Sequence, residues 1–150
     1  MYRVKAPPWM FFRNFPKLLK TPQPFEETSD YDPKYNCHAY AMGDEKKRWD
    51  PIDGYWPQGC PREMSIQAFV NAFETQGYKP CDNGNLEPNY EKIALYANQI
   101  GPSHTAKQQD SGRWRSKLGE DADIEHNALG LEGPLYGKVV MFFSRHRKSL

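Results

Sequence analysis

Two residues in this chain are of the types, and in the order, that nucleophilic catalysis needs. Cys37 opens the run Asn36-Cys37-His38-Ala39-Tyr40-Ala41-Met42-Gly43, and His104 lies downstream in Ser103-His104-Thr105-Ala106. The small and aromatic residues after Cys37 and the closing glycine predict a short helix with the cysteine at its N-terminus. Free backbone N–H groups and the helix dipole favour a thiolate there, and the thiolate is the nucleophile. The bland reading is that Cys37 is a small apolar filler, since free cysteine is among the most buried residue types.

The chemistry also requires an imidazole within hydrogen-bond reach of the thiol, a polar group to orient it, and donors for an oxyanion. His104 is the candidate base and Ser116 the candidate orienter, with Asp123 and His126 as alternatives. Asn36 serves either as helix cap or as an amide donor to an oxyanion. Trp56, in the loop Trp49-Asp50-Pro51-Ile52-Asp53-Gly54-Tyr55-Trp56-Pro57, and Trp114 are candidate cleft walls, because aromatic rings beside polar groups suit ligand pockets. The same loop could instead be a satellite cluster. His38 reads as a surface residue, as does His146 in the basic tail, and Cys60 and Cys81 read as core filler.

The elements that position these groups are legible in part. Asp110-Ser111-Gly112 reads as a three-residue hairpin turn with glycine in its left-handed position. Gln109 then pairs with Arg113, and His104 lies opposite Leu118 with Ser116 diagonal to it. Alternation places His104, Ala106, Gln108, Trp114, Ser116 and Leu118 on one face. Thr105, Lys107, Arg113, Arg115 and Lys117 take the other, which reads as a solvent or polyanion face. Ser65, an N-cap, precedes Ile66, Phe69, Val70 and Phe73 at the spacing of one buried helix face, and Gly77 ends the helix. Tyr78–Cys81, Lys92–Ala97 and Tyr136–Phe143 read as strands, and Asp123–His126 as the start of a short helix.

Composition narrows the class. A chain of 150 residues suits one domain, and 20 basic against 19 acidic residues argue against nucleic acid as the partner. Aromatics are high, at 14%, beside 38% hydrophobic residues, so the core should rest on rings more than on aliphatics. Residues 1–35, with six prolines and Trp9, Met10, Phe11, Phe12 and Phe15, read as a proline- and aromatic-rich arm ahead of one globular unit, 36–150. Three cysteines without a CxxC pair indicate neither a zinc site nor a disulfide framework, so no metal or cofactor is expected. Absence of a signal-like or membrane-length apolar run leads to an expectation of a cytoplasmic protein.

Taken together, Asn36-Cys37-x-Ala39-x-Ala41, Glu91-Lys92-Ile93-Ala94-Leu95-Tyr96-Ala97, Ser103-His104-x-Ala106, Gly112-Arg113-Trp114-x-Ser116-Lys117-Leu118-Gly119 and Asp123-Ile124-x-His126 resemble an uncharacterised family of bacterial and phage proteins. That family is similar to the papain-like, NlpC-type amidohydrolases, and the resemblance covers roughly residues 36–140. It implies an α+β, papain-like (NlpC-type) core, with N-terminal helices on a small antiparallel sheet and Cys37 and His104 in the matching positions. Ser116 stands where such enzymes carry a second histidine or another polar group. The expected function is a cysteine-dependent hydrolase or acyltransferase acting on an amide or thioester bond of a peptide-like substrate. The alternative is a non-catalytic module of the same fold that grips a protein partner.

Overall fold

The clearest sequence signal folds into the expected helix, though Ile66, read as part of its buried face, is exposed and Val70 is only partly buried. Helix α2 spans Ile66–Glu74, with the Ser65 side chain accepting from the Ala68 N–H, and it buries Ala68, Phe69, Ala72 and Phe73. Gly77, at φ +87°, supplies the left-handed residue that a helix C-terminus favours. Helix α1 is a single short turn, Cys37–Ala41, capped by Asn36. The computed structural model describes residues 15–17, 32–118, 123–127 and 130–147, and the backbone of 26–27.

The remaining elements are strands: β1 (Glu26–Glu27), β2 (Lys79–Cys81), β3 (Tyr90–Ala97), β4 (Pro102–Gln108), β5 (Trp114–Lys117), β6 (Asp123–His126) and β7 (Lys138–His146). They form one seven-stranded sheet in the order β1-β6-β5-β4-β3-β7-β2, antiparallel at every junction. β3 lies well inside it, and Ile93, Ala94, Leu95 and Tyr96 are all fully buried because both faces are covered.

Each face carries its own core. On the helix face, Tyr35, Trp49, Trp56, Phe69, Phe73 and Tyr78 pack with Ile93, Leu95 and Phe143. On the opposite face, Phe15, Tyr96, Trp114, Ile124 and Leu131 pack with Ala94 and Ala106. The rings meet edge to face, as in Trp56–Phe69 at 4.9 Å and Phe73–Phe143 at 5.2 Å between centroids. The expectation of a core built on rings is met on both faces.

This is a mainly-β fold, which corrects the expected α+β, papain-like (NlpC-type) core. The two described helices have only 5 and 9 residues, against seven strands in one sheet. Asp123–His126, expected as a helix start, is strand β6. Its acidic residues alternate with Ile124 and His126, and each faces a base on β5, Asp123 opposite Lys117 and Glu125 opposite Arg115. Opposite charges directly across a ladder support the strand. The described parts of the expected arm join the fold: Phe15 is in the second core, and β1 pairs with β6. The Trp9–Phe12 cluster lies outside the described residues.

Candidate functional site

The hairpin expected between β4 and β5 forms in the expected register. Gln109 N–H donates to the Arg113 carbonyl at 2.7 Å, Gly112 has φ +88°, and Lys107 and Gln108 pair with Arg115 and Trp114. His104, Ala106, Trp114 and Ser116 therefore share one face. It is the face away from α1.

Two contacts fix that assignment. His38, in α1, has Nδ1 2.7 Å from Thr105 Oγ1, so the Thr105 side chain points to the helix face. His104, the preceding residue, points the other way. Its ring stacks on Tyr136 at 4.1 Å and 9°, and meets the edge of Tyr96 at 5.2 Å. The sheet thus stands between Cys37 and His104, which the sequence reading pairs. Both ring nitrogens of His104 are buried without a hydrogen-bond partner among the described residues. Burial, then His126 and His38, hold its pKa well below the ordinary histidine value.

Cys37 begins α1 as expected, but it is buried and its thiol is pushed up to about 11. Burial dominates; the backbone N–H groups of Thr105, His38 and Cys37 itself and the Arg48 charge act in the opposite direction and do not prevail. A thiol in that range is protonated at neutral pH. Asn36 is occupied as a structural bracket. Its Oδ1 accepts from the N–H groups of Ala39 and Trp49, both at 3.1 Å, and its Nδ2 donates to the Trp49 carbonyl at 2.8 Å. Both amide atoms of Asn36 are thus engaged in holding α1 to the following loop.

Ser116 orients a histidine, though not the expected one. Its Oγ lies 2.7 Å from His126 Nε2, while His126 Nδ1 lies 2.5 Å from the Asn127 carbonyl. A carbonyl only accepts, so Nδ1 carries the proton, and Ser116 O–H donates to Nε2. That is the connectivity of a hydroxyl beside a general base, yet Ser116 and His126 are both fully buried. Burial lowers the His126 pKa to about 4, against the raising effect of the Asn127 carbonyl. Trp56 and Trp114, expected as cleft walls, are core residues on opposite faces. The Trp56 indole donates to the Pro61 carbonyl at 2.9 Å, and Trp114 packs on Phe142.

The face expected to meet solvent or a polyanion is instead the seat of α1. Lys117 is fully buried with its ammonium 4.7 Å from the centre of the Tyr35 ring, and the Tyr35 hydroxyl donates to Asp123 Oδ2 at 3.1 Å. Arg113 and Arg115 both reach Glu125, at 3.2 and 3.4 Å. His38, expected on the surface, is buried, and burial lowers its pKa to about 4 despite the Asp50 charge. Sequence reasoning missed the Tyr35–Asp123–Lys117 group, although the acid–base alternation of β5 against β6 was there to be read. No group of three metal-type ligands converges among the described residues.

The fold and site together define a small antiparallel sheet protein in which His38 and His126 are hydrogen-bonded on opposite faces of the sheet and His104 is packed between aromatic rings. Residues 26–144 match the family described as Domain of unknown function (DUF7689), and the chain belongs to that family. No curated protein and no solved structure matches the chain. Among the described residues, no helix is long and apolar enough to cross a membrane.

Proposed function

We propose that this chain is a non-catalytic protein-binding module, and that Cys37 is a packing residue of its fold. The observation that carries the reading is the separation of Cys37 from His104 by the sheet. A cysteine hydrolase or acyltransferase needs an imidazole beside its thiol, and the histidine nearest to Cys37 in sequence, His38, is committed to Thr105.

The surface such a module would use is the apolar end of the sheet. Ile100 is 85% exposed in the β3–β4 turn, and Leu135 is 46% exposed. The two loops are tied where Asn98 Nδ2 donates to the Leu135 carbonyl at 3.2 Å. Asn98, Gln99, Ile100, Pro134 and Gly137 line an open cleft of about 470 Å³ between them. Met64 and Ile66 are also exposed, and the Met64 carbonyl closes against Gly101. Grouped exposed apolar side chains at a cleft mark interaction surfaces more often than scattered ones do.

The test has two arms. Wild type and Cys37→Ala should hydrolyse an activated thioester equally, at the background rate. An apolar dye that fluoresces on bound surface should report on wild type and lose most of that signal in Ile100→Asp/Leu135→Asp. Hydrolysis that depends on Cys37 would overturn the non-catalytic reading, and an unchanged dye signal would remove the proposed surface.

A further inference from the structure

Among the described residues, Lys107 is a charge on the helix face of the sheet without an ion-pair partner. Lys107 stands directly opposite Arg115 in the β4–β5 ladder, and like charges so placed repel. Arg115 is relieved by Glu125, which also holds Arg113. Lys107 makes no such pair among the described residues. The carboxylate on the neighbouring strand that acts on it, Glu91, is taken by Arg145 at 2.5 Å. Half-buried, with Arg145 and Arg147 adding positive charge around it, the Lys107 ammonium is held below its ordinary pKa, burial being the main cause.

The side chain does not face a wall. Tyr40, Gly43, Glu45, Lys107 and Gln109 line an open cavity of about 200 Å³ between the end of α1 and the β4–β5 turn. The Tyr40 phenol is protonated at neutral pH, its pKa raised to about 12 by burial first and then by Asp123. The Arg115 charge near it acts in the opposite direction and does not prevail, so the phenol keeps an O–H that can donate. A cation and a hydroxyl donor therefore line one small cavity. Glu45, which is exposed, is the one opposing charge among the described lining residues.

We propose that the Tyr40–Lys107 cavity binds a small oxyanion, a free phosphate or carboxylate, which supplies the negative charge that Lys107 lacks. Such a ligand would accept from the Lys107 ammonium and the Tyr40 hydroxyl together, and charge-assisted bonds of this kind are the strong ones. The site is independent of the apolar end of the sheet, which lies at the opposite ends of β3 and β4.

The experiment is a titration of isotope-labelled protein with inorganic phosphate, and separately with acetate, at constant ionic strength set by chloride. Saturable amide shifts confined to residues 40–45 and 107–109 are expected, with a Kd of about 1 mM or tighter for at least one of the two anions. The arm that saturates identifies phosphate or carboxylate as the chemistry read. Lys107→Met should weaken binding about tenfold or more, and Tyr40→Phe, which keeps the ring packing, several-fold. Glu45→Gln should tighten it, because a repelling charge is gone. Absence of saturation with both anions, or Tyr40→Phe and Lys107→Met proteins that bind as wild type does, overturns the proposal.

Discussion

His38 Nδ1 lies 2.7 Å from Thr105 Oγ1, and this one bond fixes which face of β4 the cysteine helix sees. Thr105 turns toward α1, so His104 turns away from it, into the Tyr96 and Tyr136 rings. Both partners of the bond are buried. Thr105→Val keeps the shape but strands the imidazole nitrogen, which should cost about 1–3 kcal/mol. Urea denaturation of the variant against wild type reads this directly, and an unchanged midpoint would show the bond to be dispensable.

The same cost is expected on the other face. Ser116→Ala removes the hydroxyl that donates to His126 Nε2 and leaves that buried acceptor without its partner among the described residues. A loss of about 1–3 kcal/mol should appear in the denaturation midpoint. The ring's own nitrogen resonances should move as well, since the tautomer is held by the Asn127 carbonyl and Ser116 together. Ser116→Thr, which retains the hydroxyl, should leave those resonances near their wild-type positions.

Acid should unfold this protein before carboxylate protonation would account for it. His38 and His126 have folded-state pKa values of about 4, and His104 lies well below the ordinary value, all three through burial first. The unfolded chain, with histidines near 6.5, binds more protons, so stability is full above about pH 6.5 and declines as pH falls toward 4. Each histidine contributes a slope of about 1.4 kcal/mol per pH unit in that window. Urea midpoints at pH 7, 5.5 and 4.5 measure the slope. His126→Gln should flatten it, and a midpoint constant from pH 7 to 4.5 would contradict the burial of neutral imidazoles.

Gly137 closes the Gly133–Gly137 bridge at φ +78°, where a side chain is strained, and a Cβ there would meet the Ala97 carbonyl. Gly137→Ala should therefore destabilise strongly, by more than about 1 kcal/mol. Gly43→Ala provides the comparison, because Gly43 has a similar φ of +79° but open space around it. The second variant should lose clearly less stability than the first in thermal melts.

What was legible in the sequence was local. The β4–β5 register could be read because one glycine at the turn sets the phase of the whole ladder, and α2 could be read because Ser65 and the Phe69/Phe73 spacing agree. What was not legible was which face of that ladder would be covered. Thr105, Lys107, Arg115 and Lys117 look like a wet face, yet Thr105 bonds His38 of α1 and the Lys117 ammonium rests on Tyr35. A four-residue segment such as Asp123–His126 is too short for periodicity to separate strand from helix; its cross-strand charges decide it. Cys37 and His104 lie on opposite sides of the sheet for the same reason, since alternation along the strand does not say on which side the helix will land.

The reactivity of Cys37 in the native protein is the most direct test of the account. Cys60 and Cys81 are half-buried, whereas Cys37 is buried with its thiol pushed up to about 11. Iodoacetamide at pH 7, followed residue by residue by mass spectrometry, should label Cys60 and Cys81 first, and Cys37 only as fast as the protein opens. Urea should then abolish the difference. Labelling of Cys37 ahead of the other two in the folded protein, slowed by His104→Ala, would contradict the separation of the pair by the sheet.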